Sequence, residues 1–301
     1  MERPAIVWSE AYACDIGAHV FPTEKYALVH ERLRAEGLLA AGEALAPAAP
    51  DRALLACAHT AEYLDDLEAL RWTHRTARSE LPLTADIVRA FSLGAAGTAL
   101  AAREALRLGA AVHVGGGLHH AYADHAEGFC YINDLAVAAS ALLREGRVER
   151  AAIVDLDVHQ GNGTAHIFAG DPRVFTLSVH QERNYPSPKE RSDVDVGLAD
   201  GTGDDAYLAA LAPALARVWS SRPQIVLYQA GADPFHDDQL GGLALSFEGL
   251  EARDRMVLEG CAERGIAVAL TLGGGYARRL EDTVRIHAAS CRAAMRLASR
   301  P

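Results

Sequence analysis

Aromatic residues make up only 6% of this chain, and tryptophan and methionine occur three times each. No uninterrupted apolar run approaches the ~18 residues that would announce a membrane span. Basic residues are also in deficit: 29 Lys and Arg against 40 Asp and Glu leave a formal charge of −11. That balance argues against a nucleic-acid surface, which would need a basic stripe. It favours cationic substrates such as lysine-rich tails or amines, as a long-range and salt-screened bias. Disulfide chemistry is missing too. The five cysteines, Cys14, Cys57, Cys130, Cys261 and Cys291, are odd in number and scattered, with no C-x-x-C, the usage of reduced thiols. The first residues, MERPAIVWSE, lack a positive region followed by an apolar stretch, so no secretory signal is read there. These absences lead us to expect a soluble cytoplasmic globular protein, with neither nucleic acid nor membrane as partner.

What is present is a chain of 301 residues, 50% hydrophobic, enough to bury one large core; we expect a single domain over 1–301. β-rich apolar runs recur at Ala5–Trp8, Ala110–Val114, Ala151–Val154, Val174–Val179, Ile225–Tyr228 and Ile266–Leu272. Helical composition fills Glu24–Leu39, Thr84–Leu108, Asp134–Arg144, Asp204–Trp219, Phe247–Arg264 and Arg278–Leu297. The alternation implies an α/β fold, an open parallel sheet with helices on both faces. Ala40–Asp51, Arg75–Pro82 and Gln181–Gly203 read as loops, and Gly94-Ala95-Ala96-Gly97 reads as close helix packing.

The polar chemistry falls at the ends of those strands. The run Ala151–Val154 ends abruptly in Asp155, Asp157 and His159. On an extended chain these three share one face. Charges there need a counter-charge to be tolerated. Three other strands run into Gly115-Gly116-Gly117-Leu118-His119-His120, Gly231-Ala232-Asp233-Pro234 and Gly273-Gly274-Gly275-Tyr276. Parallel strands bring their carboxyl ends to one sheet edge, where open α/β folds bind ligands. Asp157, His159 and Asp233 supply three ligands for a divalent metal, leaving a position for water. Two carboxylates and an imidazole suit zinc, and ferrous iron or another first-row ion is also compatible. Taken singly, Asp233 reads by default as a turn residue and Tyr276 better as a surface tyrosine, and His159 reads also as a hydrogen-bonded core histidine. Asp155 and Asn162 are the available partners for the histidine pair. A carboxylate favours the imidazolium, whereas an amide fixes orientation with less effect on charge. Neither glycine loop fits a phosphate-binding pattern.

Together the runs GGGLHHAYADHAEGFCYINDLAVAA (115–139), VDLDVHQGNGT (154–164), GADP (231–234) and LGGGY (272–276) resemble the zinc-dependent histone deacetylase family, of the arginase–deacetylase superfamily. The likeness extends to HVFPTEKY (19–26) and HTAEYL (59–64), and with the D-x-L-G stretch at 238–241 is nearest to bacterial members close to class IV. The resemblance implies metal-dependent removal of an acyl group, acetyl first, from the ε-amine of lysine or a related amine. It implies Asp157, His159 and Asp233 as metal ligands and His120 as the general base acting on water. His119 is then its electrostatic companion, Asp155 the partner of His119, and Tyr276 the donor to the acyl carbonyl. Gly128 and Phe129 match the tunnel wall. Tyr185 is our second tunnel aromatic, Leu240 a rim residue, and Gly274 is placed with them. A structural potassium site is implied at Asp155, Asp157, His159, Ser178 and Val179. Asn162 stands where many members have Asp, which leaves His120 less biased toward its charged form.

Three alternatives remain open. A polyamine or other small-molecule amide deacetylase is one, although Leu240 lacks the rim acid of polyamine-selective relatives. A dinuclear ureohydrolase needs further bridging ligands, and no D-x-H-x-D is present. An inactive acyl-lysine reader is expected to lose part of the catalytic set, and none is lost. The sequence leaves the acyl chain and the oligomeric state open; an oligomer is compatible with it.

Overall fold

The computed structural model describes residues 3–40 and 42–297. Residues 1, 2, 41 and 298–301, which include the ends of the expected single domain, lie outside that description. In chain order the elements are β1 (Ala5–Val7), α1 (Lys25–Ala35), α2 (Arg52–Leu55), α3 (Ala61–Glu68), α4 (Ala85–Leu108), β2 (Ala110–His113), α5 (Asp134–Arg144) and β3 (Ala151–Asp155). They continue with α6 (Asn162–Ile167), β4 (Val174–Gln181), β5 (Val194–Leu198), α7 (Asp204–Ser220), β6 (Ile225–Gln229), α8 (Phe247–Glu263), β7 (Ala267–Thr271) and α9 (Leu280–Met295). The seven strands form one sheet in the order β1-β2-β7-β6-β3-β4-β5, and every pairing is parallel.

Alternating residues along the strands build two separate cores. Ile6, Val112, Val154, Val226 and Leu270 pack on one face with residues of α7, α8 and α9. Val7, Ala111, Ile153, Leu227 and Ala269 pack on the other with α4 and α5. Period-two side chains on a sheet covered on both faces explain why the strands read as continuous apolar runs. Side-chain caps start the main helices: Thr84 accepts the Ile87 N–H, Asn133 the Ala136 N–H and Ser246 the Gly249 N–H, relieving donors with no partner inside the helix. Small residues let α4 lie close on the sheet. A Cβ at Gly97 would stand 2.4 Å from both His113 Nε2 and Tyr12 Oη. Among the described residues no helix is long and apolar enough to cross a membrane.

The fold corrects the sequence reading in one stretch. Gln181–Gly203 is not all loop: it contains the edge strand β5, whose Asp195 and Gly197 face solvent. An edge strand buries little, so its sequence carries a loop-like composition. Helices α2, α3 and α6 are short elements that the apolar spacing did not mark.

Candidate active site

Because all strands are parallel, β2, β3, β6 and β7 deliver their following residues to one edge. Each delivery is held by specific bonds. Asp134, at the first position of α5, accepts the N–H groups of Gly117 and Leu118 at 3.0 and 2.6 Å, fixing the glycine turn that ends in His119-His120. After β3 the chain is no longer extended. The strand stops at Asp155, so strand alternation is not what aligns Asp155, Asp157 and His159. Two successive turns do so instead. Asp155 Oδ1 accepts the Asp157 N–H at 3.2 Å, and Asp157 Oδ1 accepts the His159 N–H at 3.0 Å, the local bonding that favours Asp in turns. Asp238 performs a similar task for the last loop, accepting the N–H groups of Leu240, Gly241 and Tyr276.

Beneath these turns lies Arg253, with 0% of its surface exposed. Its Nη1 donates to Leu156 O at 3.2 Å and Gly231 O at 2.6 Å, each close in sequence to an acidic residue of the cluster. Asp254 balances it, with Nη2 2.8 Å from Oδ1, and also accepts the hydroxyls of Tyr228 and Ser290. Breaking a buried pair leaves a charge uncompensated, so Arg253→Leu should cost about 3–5 kcal/mol of stability. Denaturant unfolding of the two proteins measures this; equal midpoints would contradict it.

Asp157, His159 and Asp233 are buried and offer ligand atoms that all lie within 4.8 Å of one another. His159 Nδ1 is 3.1 Å from Asp157 Oδ1 and 3.3 Å from Asp233 Oδ2. Donor atoms around one tetrahedral ion at ~2.0–2.2 Å stand about 3.3–3.6 Å apart, so the set fits a single divalent ion. Asp233 Oδ1 accepts the Val158 N–H, but its buried Oδ2 has no hydrogen-bond partner. Burial opposes a charged His159, yet the two carboxylates outweigh it and push its pKa up to about 10. Desolvation and the charge of Asp157 push Asp233 up to about 7. Such a cluster suits a cation, and a divalent metal would take the place of the proton. Gly274 is needed for closeness. A Cβ there would meet Asp233 Oδ2 at 2.0 Å, and its N–H donates to Asp157 Oδ2 at 2.8 Å.

The histidine pair stands over this cluster. His119 Nδ1 is 2.6 Å from Asp155 Oδ2, and its Nε2 is 3.1 Å from His120 Nε2. His120 Nδ1 is 2.7 Å from Asn162 Oδ1. The different partners give the rings opposite tendencies. Burial resists charge on His119, but Asp155 and Asp157 overcome it and raise its pKa. Burial, then the charges of His119 and His159, hold His120 well below the usual range. His120 is therefore a neutral acceptor beside a ring inclined to carry charge. Tyr276 is buried, and desolvation with the nearby carboxylates raises its phenol well above normal; it is a hydrogen-bond donor.

These groups line the base of a cavity of about 230 Å³. Above them stand Gly128, Phe129, Tyr185 and Leu240, with exposed Glu80 at the mouth. Tyr185 faces the His120 ring edge-on at 4.9 Å and donates from its hydroxyl to Glu127 at 2.5 Å. Phe129 meets Tyr276 at 6.3 Å between centroids. The sequence-derived residues that line the cavity are thus His119, His120, Asp157, His159, Tyr276, Gly128, Phe129, Tyr185, Leu240 and Gly274. Asp155 and Asn162 bond the histidines from behind. Ser178 pairs with Asp155 across β3 and β4, its hydroxyl bonded to His180, and Val179 follows it into the core.

The histone deacetylase domain pattern matches residues 19–291. The chain belongs to the histone deacetylase family. An uncharacterised protein of Picosynechococcus sp. is 42% identical over 278 residues, covering 92% of this chain and 93% of that protein. Histone deacetylase 2 of Arabidopsis thaliana is 29% identical over 303 residues, covering 94% and 78%. In fold, the crystal structure of the acetylpolyamine aminohydrolase from Burkholderia pseudomallei matches with a TM-score of 0.80 at 23% identity, over 97% of this chain and 98% of that one. The all-parallel sheet with helices on both faces is therefore the arginase–deacetylase fold.

Within this deacetylase-family site, four groups escaped the sequence reading. Lys25, fully buried, donates from Nζ to Gly273 O at 2.8 Å. It also lies 5.1–5.6 Å from the rings of Phe21, Tyr26 and Tyr276. Burial brings its pKa down to about 8 against the pull of Asp233, Asp157 and Asp238. Gln229 Nε2 reaches Asp157 Oδ2 at 3.0 Å and His119 Nδ1 at 3.1 Å. Asp238 and Glu80 complete the list. Lys25 and Asp238 carried a signal, as the lysine of the quoted HVFPTEKY run and the first residue of the D-x-L-G stretch.

Proposed function

We propose that this chain is a metal-dependent deacylase that hydrolyses the ε-amide of an acylated lysine or a related amine. One observation carries the reading. A cavity with half-buried aromatic walls ends on a buried Asp/His/Asp cluster faced by a neutral imidazole and a phenol. An apolar stem fits between Phe129 and Tyr185, and the scissile amide then lies beside His120, Tyr276 and the cluster.

Asp157, His159 and Asp233 would hold zinc, with ferrous iron as the other fit. When bound, the ion supplies a Lewis acid for the carbonyl and acidifies water. His120 takes the proton of the attacking water at its free nitrogen. His119, inclined to charge by Asp155, stabilises the negative charge that accumulates and can return a proton to the leaving amine. Tyr276 donates a hydrogen bond from its hydroxyl to the carbonyl oxygen as it becomes an oxyanion. Water is excluded by Phe129, Tyr185 and the glycine loops packed around the base. A potassium ion near Asp155, Asp157, His159, Ser178 and Val179, carried over from the family, belongs to the same reading as a structural element.

The charge of −11 and exposed Glu80 at the mouth favour a cationic substrate, either a basic peptide or a small amine. Comparing kcat/KM for acetyl-lysine peptides and free acetylpolyamines separates the two. Leu240 stands where polyamine-selective relatives carry a rim acid, so we expect the peptide to be preferred. The donor set also predicts close to one tightly bound divalent ion per chain, abolished in Asp233→Ala or Asp157→Ala. Elemental analysis after dialysis checks this, and two tightly held ions per site would contradict it.

A further inference from the structure

In a neutral imidazole one ring nitrogen carries the proton and only the other can accept one. Which nitrogen of His120 is bare thus decides whether it can act at the cavity. A chain of hydrogen bonds leads outward from this ring. His120 Nδ1 is 2.7 Å from Asn162 Oδ1, Asn162 Nδ2 donates to Tyr122 Oη at 3.2 Å, and the Tyr122 hydroxyl donates to Glu190 Oε1 at 3.1 Å. Among the described residues the Asn162 side chain has no other partner.

The direction of the chain is set at its outer end. A carboxylate only accepts, so the single Tyr122 hydroxyl proton is committed to Glu190. The Tyr122 oxygen then accepts, and the group facing it must be the Asn162 NH₂. The amide oxygen is thereby turned to His120, whose Nδ1 must carry the proton. Its Nε2, on the cavity side and 3.1 Å from His119 Nε2, is left bare. We propose that Tyr122 and Glu190 are positioning residues that set the His120 tautomer by holding the Asn162 amide in one of its two orientations. This inference rests on the reading of His120 as the proton acceptor in amide hydrolysis.

The need arises because residue 162 is an amide. A carboxylate presents equivalent oxygens whichever way it turns. A flipped Asn162 would instead offer NH₂ to His120 Nδ1 and drive the proton to Nε2. An amide has no labile proton to hand on at neutral pH, so the chain orients and does not conduct. Both anchors are themselves held. Gln160 grips the Glu190 backbone, accepting its N–H at 2.8 Å and donating to its carbonyl at 2.7 Å. The Tyr122 ring stacks on His125 at 4.3 Å and lies 4.9 Å from His166, whose Nδ1 is 3.3 Å from Glu190 Oε1.

Tyr122→Phe removes the hydroxyl and keeps the stacked ring. It should lower kcat on the order of 10-fold, the scale of losses from outer hydrogen-bond partners. KM and bound zinc should hold within about twofold, since substrate walls and ligands are untouched. Introduced into Asn162→Asp, the same change should alter kcat by less than about twofold relative to the Asn162→Asp parent. The ring itself is read by ¹⁵N NMR of histidine side chains in zinc-loaded protein. Wild type should show His120 protonated at Nδ1, and Tyr122→Phe should show a shift toward the Nε2-protonated form. An equal loss of kcat in both backgrounds, or an unchanged His120 spectrum in Tyr122→Phe, would overturn the inference. Absence of turnover by the wild type would overturn the hydrolase reading, and the ring spectra still decide the tautomer in that case.

Discussion

Replacing His120 with alanine lowers kcat by ~10²–10⁴-fold, the usual worth of a positioned general base. The expectation follows from the neutrality of this ring. Burial and the neighbouring charges of His119 and His159 keep it deprotonated, so an acceptor is present without a preceding proton loss. Alanine leaves Asp157, His159 and Asp233 in place, so the bound ion and its stoichiometry should be retained. His74→Ala, at an exposed position of a different loop, serves as the control and should leave turnover at the parent level. Steady-state rates on an acetyl-lysine peptide, with metal content measured on the same samples, test this. Near-parental turnover of His120→Ala at neutral pH would remove His120 from the mechanism.

The second large effect concerns a single oxygen atom. Tyr276→Phe should reduce kcat by ~10²–10³-fold, the range for loss of one donor to a developing oxyanion. The phenol is held protonated by its burial and by the carboxylates around it. Its backbone is pinned by the 2.7 Å bond from the Tyr276 N–H to Asp238 Oδ2. Phenylalanine keeps the ring contacts with Phe21 and Phe129, so peptide affinity should change little. A donor aimed at charge that appears only in the transition state shows in kcat and not in binding. Single-turnover hydrolysis and direct peptide binding by both proteins separate the two quantities. Equal turnover would exclude Tyr276 from the reaction, and unmeasurable turnover in both with intact binding would favour an acyl-lysine reader.

How much of this was visible in the sequence depends on whether the signal was local. Residues following β2, β3, β6 and β7 could be placed together because a parallel sheet gathers all carboxyl ends at one edge. Asp157 and His159 were brought to that edge correctly but for a different cause, since turns closed by Asp155 and Asp157 align them after the strand has ended. β5 was hidden because an edge strand with Asp195 and Gly197 outward looks like the loop around it. The buried roles of Lys25, Arg253 and Gln229 were hidden for a deeper reason, although Lys25 itself falls in a quoted run. Each is a polar residue in an otherwise ordinary element, and its burial against backbone carbonyls or carboxylates exists only in the tertiary structure. The Tyr122–Glu190 bond joins residues 68 positions apart, which no spacing rule reaches.

In the proposed mechanism a single divalent ion held by Asp157, His159 and Asp233 is required for amide hydrolysis by this chain. The most direct measurement is release of acetate from an acetyl-lysine peptide by chelator-stripped protein titrated with zinc, and separately with ferrous iron. The account predicts no turnover in the stripped protein and recovery that saturates near one equivalent per chain. Turnover that survives metal removal, or that requires two equivalents, would contradict it.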